Sequence, residues 1–138
     1  MPCVAQWMYF LNCQFMNRDD IKQSLQVILN AIDLVKKGYS VYIAPEGTRN
    51  ATDELLEFKE GSMKIATKGK CPIVPVCFHG TEEIFENRLP WIHKGKIRIE
   101  FGEPIYVDEL DKDTKRRLGA YTREKVAKLY EEGKKSMN

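Results

Sequence analysis

The sequence predicts an α/β fold, a mixed and largely parallel sheet flanked by helices, and three observations predict it. Short β-branched runs alternate along the chain with segments of helical spacing. Turns rich in proline and glycine separate the segments. The chain has 138 residues, enough to bury one core and too few for two, so residues 1–138 read as a single folding unit.

In chain order, the stretch from Met1 to Asn17 carries no charge and holds Trp7, Tyr9, Phe10 and Phe15. Such a stretch must face something apolar: its own core, a lipid surface, or structure missing from this chain, with burial against the fold as the favoured expectation. Its last apolar pair, Phe15-Met16, reads as a short strand leading to Arg18. Asp19 and Asp20 then offer an N-cap to a helix carrying Ile21, Leu25, Ile28, Leu29, Ile32 and Val35, which Gly38 stops. Ser40 to Ala44 reads as a buried strand feeding a loop. Ser62 to Lys68 reads as a short helix between Gly61 and Gly69, and Ile73 to Phe78 as a strand that Pro72 and Pro75 confine to an edge or a bulge. Lys96 to Phe101 alternates strictly, as a half-exposed strand does, with Ile97, Ile99 and Phe101 on one face. From about Thr114 a last helix turns Leu118, Tyr121, Val126 and Leu129 inward.

Sites in such sheets form in the loops beyond the carboxyl ends of the strands. The segments to inspect are therefore Pro45 to Phe58, His79 to Trp91 and the Asn17-Arg18 junction.

Composition narrows the partners. A formal charge of +2 is too balanced for a broad nucleic-acid-binding surface, and 43% hydrophobic with 30% charged residues is an ordinary globular mixture. No apolar run approaches the roughly 18 residues of a membrane span, and the first residues lack the pattern of a secretory signal. Cys3, Cys13, Cys71 and Cys77 form no CxxC pair and read as reduced thiols, which sets the cytosol as the default compartment.

The sharpest local feature is Pro45-Glu46-Gly47-Thr48-Arg49. Glycine there lets backbone approach a ligand, and the Gly47 N–H, the Thr48 hydroxyl and the Arg49 fork are convergent donors. Arg18 at a neighbouring strand end would add a second guanidinium, making a pocket for a phosphomonoester. The competing reading, at even weight, is an ordinary turn in which Glu46 pairs with an arginine. Cys77 and His79 would share a face as a nucleophile pair, but Glu82 and Glu83 make a solvated loop the better account of His79. His93 reads as a surface loop residue, and no spacing matches a metal site.

Four motifs occur in order: Phe-Met-Asn-Arg at 15–18, Ala-Pro-Glu-Gly-Thr-Arg at 44–49, Phe-Lys-Glu-Gly at 58–61 and Ile-Val-Pro-Val at 73–76. The series resembles the lysophosphatidic acid acyltransferases, the 1-acylglycerol-3-phosphate acyltransferases of the glycerolipid acyltransferase superfamily, from about Pro2 to the final helix. The resemblance implies that residues 1–138 are one acyltransferase-like domain lacking its N-terminal part. It implies that Arg18, Glu46, Gly47, Thr48 and Arg49 bind the acceptor's phosphate, and that Val74, Pro75 and Val76 shape the acyl-donor site. The implied reaction moves an acyl group from acyl-CoA or acyl carrier protein to a lysophospholipid, with no cofactor beyond that co-substrate. The implied place is the cytoplasmic face of a membrane.

Asn17 stands where the family usually has aspartate, and Ala44 where it usually has an aromatic residue. More seriously, the family's catalytic His-x4-Asp is absent: five residues after His79 stands Ile84, and five after His93 stands Arg98. The expectation is a chain inactive by itself, and the alternative is a non-catalytic domain that binds phospholipids or phosphate esters. A third reading is an interaction domain whose Pro-Glu-Gly-Thr-Arg turn is only a salt-bridged loop.

Overall fold

The structure is a computed structural model that describes residues 2–16, 20–48, 54–84, 87 and 91–137. The chain opens with helix α1 (Pro2–Phe10), and Phe15-Met16, expected as a short strand, carries no ladder. Asn12, at φ +55°, ends it by placing its own N–H on Tyr9 O (3.0 Å) and the Cys13 N–H on Met8 O (2.9 Å). Asparagine tolerates this left-handed geometry better than most residues. The favoured expectation of burial fails, because Trp7, Tyr9, Phe10 and Leu11 are all more than two-thirds exposed.

Helix α2 (Ile21–Lys36) follows its sequence signals closely. The Asp20 carboxylate accepts from the Lys22 and Gln23 N–H groups at 2.9 and 3.1 Å. At the other end Gly38, at φ +91°, lets Tyr39 N–H reach Leu34 O and its own N–H reach Val35 O. The inward stripe buries Ala31 and Ile32, with Ile28 and Val35 packed around them.

Helix α3 (Glu60–Gly69) is buried on two sides. Ile65 packs on Ala31 and Ile32 of α2, whereas Met63 and Ala66 join Phe58, Val107 and Leu118 in a second cluster. Gly69 permits the close crossing of α2, since a β-carbon there would stand 2.9 Å from Val35 Cγ1.

Strand β1 (Val76–His79) pairs antiparallel with β2 (Arg98–Phe101), Val76 opposite Phe101 and His79 opposite Arg98. An isolated bridge between Ile73 and Ile105 prolongs the pairing past Pro75, the interruption that the prolines predict. Helices flank the sheet as expected, but the pairing among the described residues is antiparallel where mostly parallel strands are expected. Ser40 to Ala44 is extended without a ladder and mostly exposed, so it is not the buried strand expected. Val41 packs under α2, and the Tyr42 ring meets the Phe78 ring edge-on, which is side-chain contact without backbone pairing.

The sheet also turns a different face inward. Phe78, Ile99 and Phe101 point outward and are exposed, while Cys77, His79 and Glu100 face the last helix. After the single-turn helix α4 (Thr81–Ile84) between the strands, a 3₁₀ turn (Val107–Glu109) and helix α5 (Lys112–Arg116), capped by Asp111, lead into α6 (Leu118–Met137). Leu118 is the most deeply buried residue, and the Glu60 carboxylate caps α6 by accepting from Gly119 N–H at 2.9 Å. A negative charge at a helix N-terminus is favoured by the helix dipole.

Under α6 lies a buried polar group. His79 Nε2 stands 3.3 Å from Glu100 Oε2 without the alignment of a hydrogen bond, Arg98 pairs with Glu100 Oε1 at 2.6 Å, and the His79 ring stacks on Tyr130 at 4.9 Å. Gly133 crosses above this group, and a β-carbon there would overlap Glu100 Oε2 and His79 Nε2. Alanine in a helix gains about 1 kcal/mol over glycine, but overpacking a filled interior costs about 1–3 kcal/mol and here meets two hemmed-in polar side chains. Gly133→Ala is therefore expected to lower the urea midpoint despite its better helix propensity, and an unchanged or raised midpoint would contradict the close crossing.

Candidate functional site

The Ala44-Pro45-Glu46-Gly47 segment is a tight turn closed by a hydrogen bond from Gly47 N–H to Ala44 O at 3.1 Å. Proline sets φ at the second position, and Gly47 takes φ +68°, a region closed to most side chains. The Gly47 N–H is thus used inside the turn and is not the free donor that the sequence suggests. Glu46 is half-buried and makes no ion pair among the described residues, while Thr48 is exposed. Arg18 and Arg49 lie outside the described residues, as do Asn17 and Asp19.

The chain returns to this turn through Lys59, whose N–H donates to Pro45 O at 2.9 Å. Three anchors hold the returning leg. Arg123 of α6 donates from Nε to the Leu55 and Leu56 carbonyls at 3.0 Å each and from Nη2 to Leu55 O. Phe58 is buried in the core, and Glu60 caps α6. Hydrogen bonds from a charged donor contribute about 1.5–3 kcal/mol each when well made, so Arg123 fixes the base of the loop to the rigid part of the fold.

Val74 is exposed, Pro75 buried and Val76 half-buried. Pro75 forms one wall of a groove of about 590 Å³ shared with Phe101, Gly102, Tyr106, Tyr121 and Leu129. None of residues 44–48 lines it, and of Val74, Pro75 and Val76 only Pro75 does.

His79 is not a solvated loop residue: it sits within β1, its side chain about 5% exposed. Cys77 shares its inward face, but burial, and then the charge of Glu100, push the Cys77 thiol up to about 11. Its Sγ donates to Val126 O at 3.6 Å. A nucleophile needs the thiolate, so this pair is packed as interior rather than armed for catalysis. His93 is exposed, as expected. Among the described residues no three His, Cys, Asp or Glu side chains come together as a metal site.

Residues 1–79, which contain both arginine motifs, the turn and the Val-Pro-Val run, match the family described as Acyltransferase. The chain belongs to the acyltransferase family. It is 32% identical over 112 residues to the chloroplastic 1-acyl-sn-glycerol-3-phosphate acyltransferase of Brassica napus, a match covering 80% of this chain and 33% of that protein. With the 1-acyl-sn-glycerol-3-phosphate acyltransferase of Borreliella burgdorferi it shares 31% identity over 131 residues, 95% of this chain and 52% of that protein. The crystal structure of the 1-acyl-sn-glycerophosphate (LPA) acyltransferase PlsC from Thermotoga maritima superposes with a TM-score of 0.76 at 29% identity, covering 97% of this chain and 52% of that one. This acyltransferase-family chain therefore spans from a third to about half the length of these relatives.

Sequence reasoning missed Arg123 as a support of the loop, because a basic residue on a highly charged helix looks like a solvated one. With a pKa near 11, about one Cys77 in a thousand is thiolate at pH 8. Native protein treated with iodoacetamide at pH 8 should leave Cys77 unmodified by peptide mass spectrometry, with labelling on unfolding. Rapid native labelling of Cys77 would show a reactive thiol after all.

Proposed function

We propose that the chain is the acceptor-binding part of a phospholipid-synthesis acyltransferase, one that moves an acyl group from acyl-CoA or acyl carrier protein to 1-acylglycerol-3-phosphate and yields phosphatidic acid. The observation that carries the reading is the Pro-Glu-Gly-Thr-Arg turn on a firmly held loop, in a chain of the acyltransferase family. Arg18, Glu46, Gly47, Thr48 and Arg49 hold the acceptor's phosphate: the arginines by charge-assisted bonds, Thr48 by its hydroxyl, and Gly47 by shaping the turn. Val74, Pro75 and Val76 belong to the acyl-donor side, where Pro75 borders the groove.

Acyl transfer needs a base on the acceptor hydroxyl, and no histidine in this sequence is followed five positions later by aspartate. The chain by itself therefore binds acceptor without turnover. The same observation favours the second reading, a non-catalytic domain that binds phospholipids or phosphate esters. With lysophosphatidate and labelled acyl-CoA or acyl carrier protein, the chain should form no phosphatidic acid, and a version extended upstream by a His-x4-Asp-bearing segment of a relative should form it. Failure of the extended version while binding persists would leave the binding-domain reading. Arg49→Ala should weaken lysophosphatidate binding by about 1.5–3 kcal/mol, roughly 10- to 150-fold, in a calorimetric titration. Equal affinity would remove the phosphate assignment.

The acceptor is a lipid, and we place the chain peripherally at the cytoplasmic membrane face. The uncharged, exposed α1 supports the lipid contact, and free thiols at Cys13, Cys71 and Cys77 agree with a reducing compartment. No helix among the described residues is long and apolar enough to cross a membrane. Co-sedimentation with phosphatidylglycerol vesicles should fall several-fold in Trp7→Glu/Phe10→Glu, and undiminished sedimentation would take α1 out of the contact.

A further inference from the structure

Between α4 and β2 the chain runs Trp91-Ile92-His93-Lys94-Gly95-Lys96-Ile97, a stretch that the proposed reaction leaves without a task. Trp91 is 74% and Ile92 78% exposed. The backbone beside them is nevertheless pinned to the fold. His93 N–H donates to Ile84 O at 2.9 Å, and Gly95 passes so close to Ile84 that a β-carbon would stand 2.6 Å from Cγ1. The Ile84 position therefore holds the main chain of the loop while its two large apolar side chains stay in solvent. Lys94 and Lys96 are exposed too, and neither joins an ion pair among the described residues. Between Trp91 and Ile99 the sequence has Lys94, Lys96 and Arg98 and no acidic residue. Ile97, 52% exposed, leads into the outward face of Ile99 and Phe101, so the loop opens onto further apolar surface.

We infer that residues 91–97 are an interfacial anchor whose partner is an anionic lipid surface, with Trp91 and Ile92 entering the headgroup boundary and Lys94 and Lys96 meeting the lipid phosphates. Tryptophan beside lysine decides the occupant. Protein–protein interfaces are depleted in lysine, whereas a tryptophan ring settles at the headgroup level of a bilayer. A lysine stem lies along the apolar boundary with its ammonium in the wet layer, and each such charge strengthens binding to an anionic leaflet. The pinned backbone lowers the ordering cost of the contact, because the loop is already held when the lipid arrives. The inference rests on the membrane placement proposed above and adds a contact independent of α1. Helix α1 has no charged residue and so cannot distinguish an anionic from a neutral headgroup by charge, whereas this loop can.

The test exploits the fact that the sequence holds two tryptophans, so that Trp7→Phe leaves Trp91 as the single emitter. With phosphatidylglycerol vesicles the Trp91 emission should shift to the blue, and phosphatidylglycerol brominated in its acyl chains should quench it. Phosphatidylcholine vesicles should do much less of both. By co-sedimentation, Lys94→Gln/Lys96→Gln should weaken binding to phosphatidylglycerol vesicles about 10- to 30-fold, and Trp91→Glu/Ile92→Glu by about tenfold or more. The same loss of charge on the exposed side of α3, Lys64→Gln/Lys68→Gln, should change binding by no more than about twofold. Wild-type binding that only Trp7→Glu/Phe10→Glu reduces, with Trp91 emission unmoved, overturns the inference and leaves the membrane placement standing. Equal binding to both vesicles, insensitive to the lysines, overturns it too, because the loop would then read no headgroup charge. Wild-type protein that sediments with neither vesicle overturns both. A dimer in buffer that Trp91→Glu/Ile92→Glu dissociates, with Trp91 emission unmoved by vesicles, also overturns it and makes the loop an interface between copies. Should Trp91→Glu/Ile92→Glu fail to fold, the quenching of Trp91 in Trp7→Phe, which leaves the loop intact, decides the matter.

Discussion

The position of the turn at 44–47 depends on helix α3 being buried on two sides at once. Ile65 commits it to α2, and Met63 and Ala66 commit it to the cluster built by Phe58, Val107 and Leu118. Burial of the two larger side chains, Ile65 and Met63, contributes about 1.5–3 kcal/mol each. Because the turn at 44–47 is tied to Lys59, the residue just before α3, its position follows from that packing rather than from the loop's own sequence. Glu60 and Arg123 link the same segment to α6 by charge-assisted hydrogen bonds, so helix and loop cannot shift independently.

The second constraint is the polar interior beneath α6. His79, Glu100 and Arg98 sit where the alternation of β2 would have placed isoleucines, and the ring of Tyr130 and the bare backbone of Gly133 close over them. Buried charge is tolerated only with partners, and here the partners come from both strands while the covering helix gives up a side chain to make room. The same charge helps keep the Cys77 thiol protonated.

Local signals were legible where one residue decides the outcome. Asp20 and Gly38 bound α2, Gly61 and Gly69 mark the two ends of α3, and Pro75 interrupts the pairing of Ile73 to His79. The Pro-Glu-Gly-Thr turn was legible for the same reason. Signals failed where a partner decides. Ser40 to Ala44 has the composition of a strand but only side-chain contact with β1, and period-two alternation at Ile97 to Phe101 reveals a strand without saying which face a helix will cover. The helical state of Pro2 to Phe10 escaped because an apolar segment without polar positions has no helical period to read. Arg123 was hidden among the many charged residues, since only the fold shows that it holds carbonyls.

The outward face of the sheet has a consequence for how the molecule behaves in solution. Phe78, Ile99 and Phe101, with Tyr42 against Phe78, form an exposed apolar wall on a sheet that has two strands among the described residues. Two strands alone are marginal in water. Any molecule that settles on this wall, whether detergent, acyl chain or another polypeptide, binds the folded state in preference to the unfolded one and shifts the folding equilibrium by mass action. A ligand of that wall at a hundred times its Kd would add about 2.7 kcal/mol to the folding free energy, so the stability of this chain is set by its solvent as well as by its sequence.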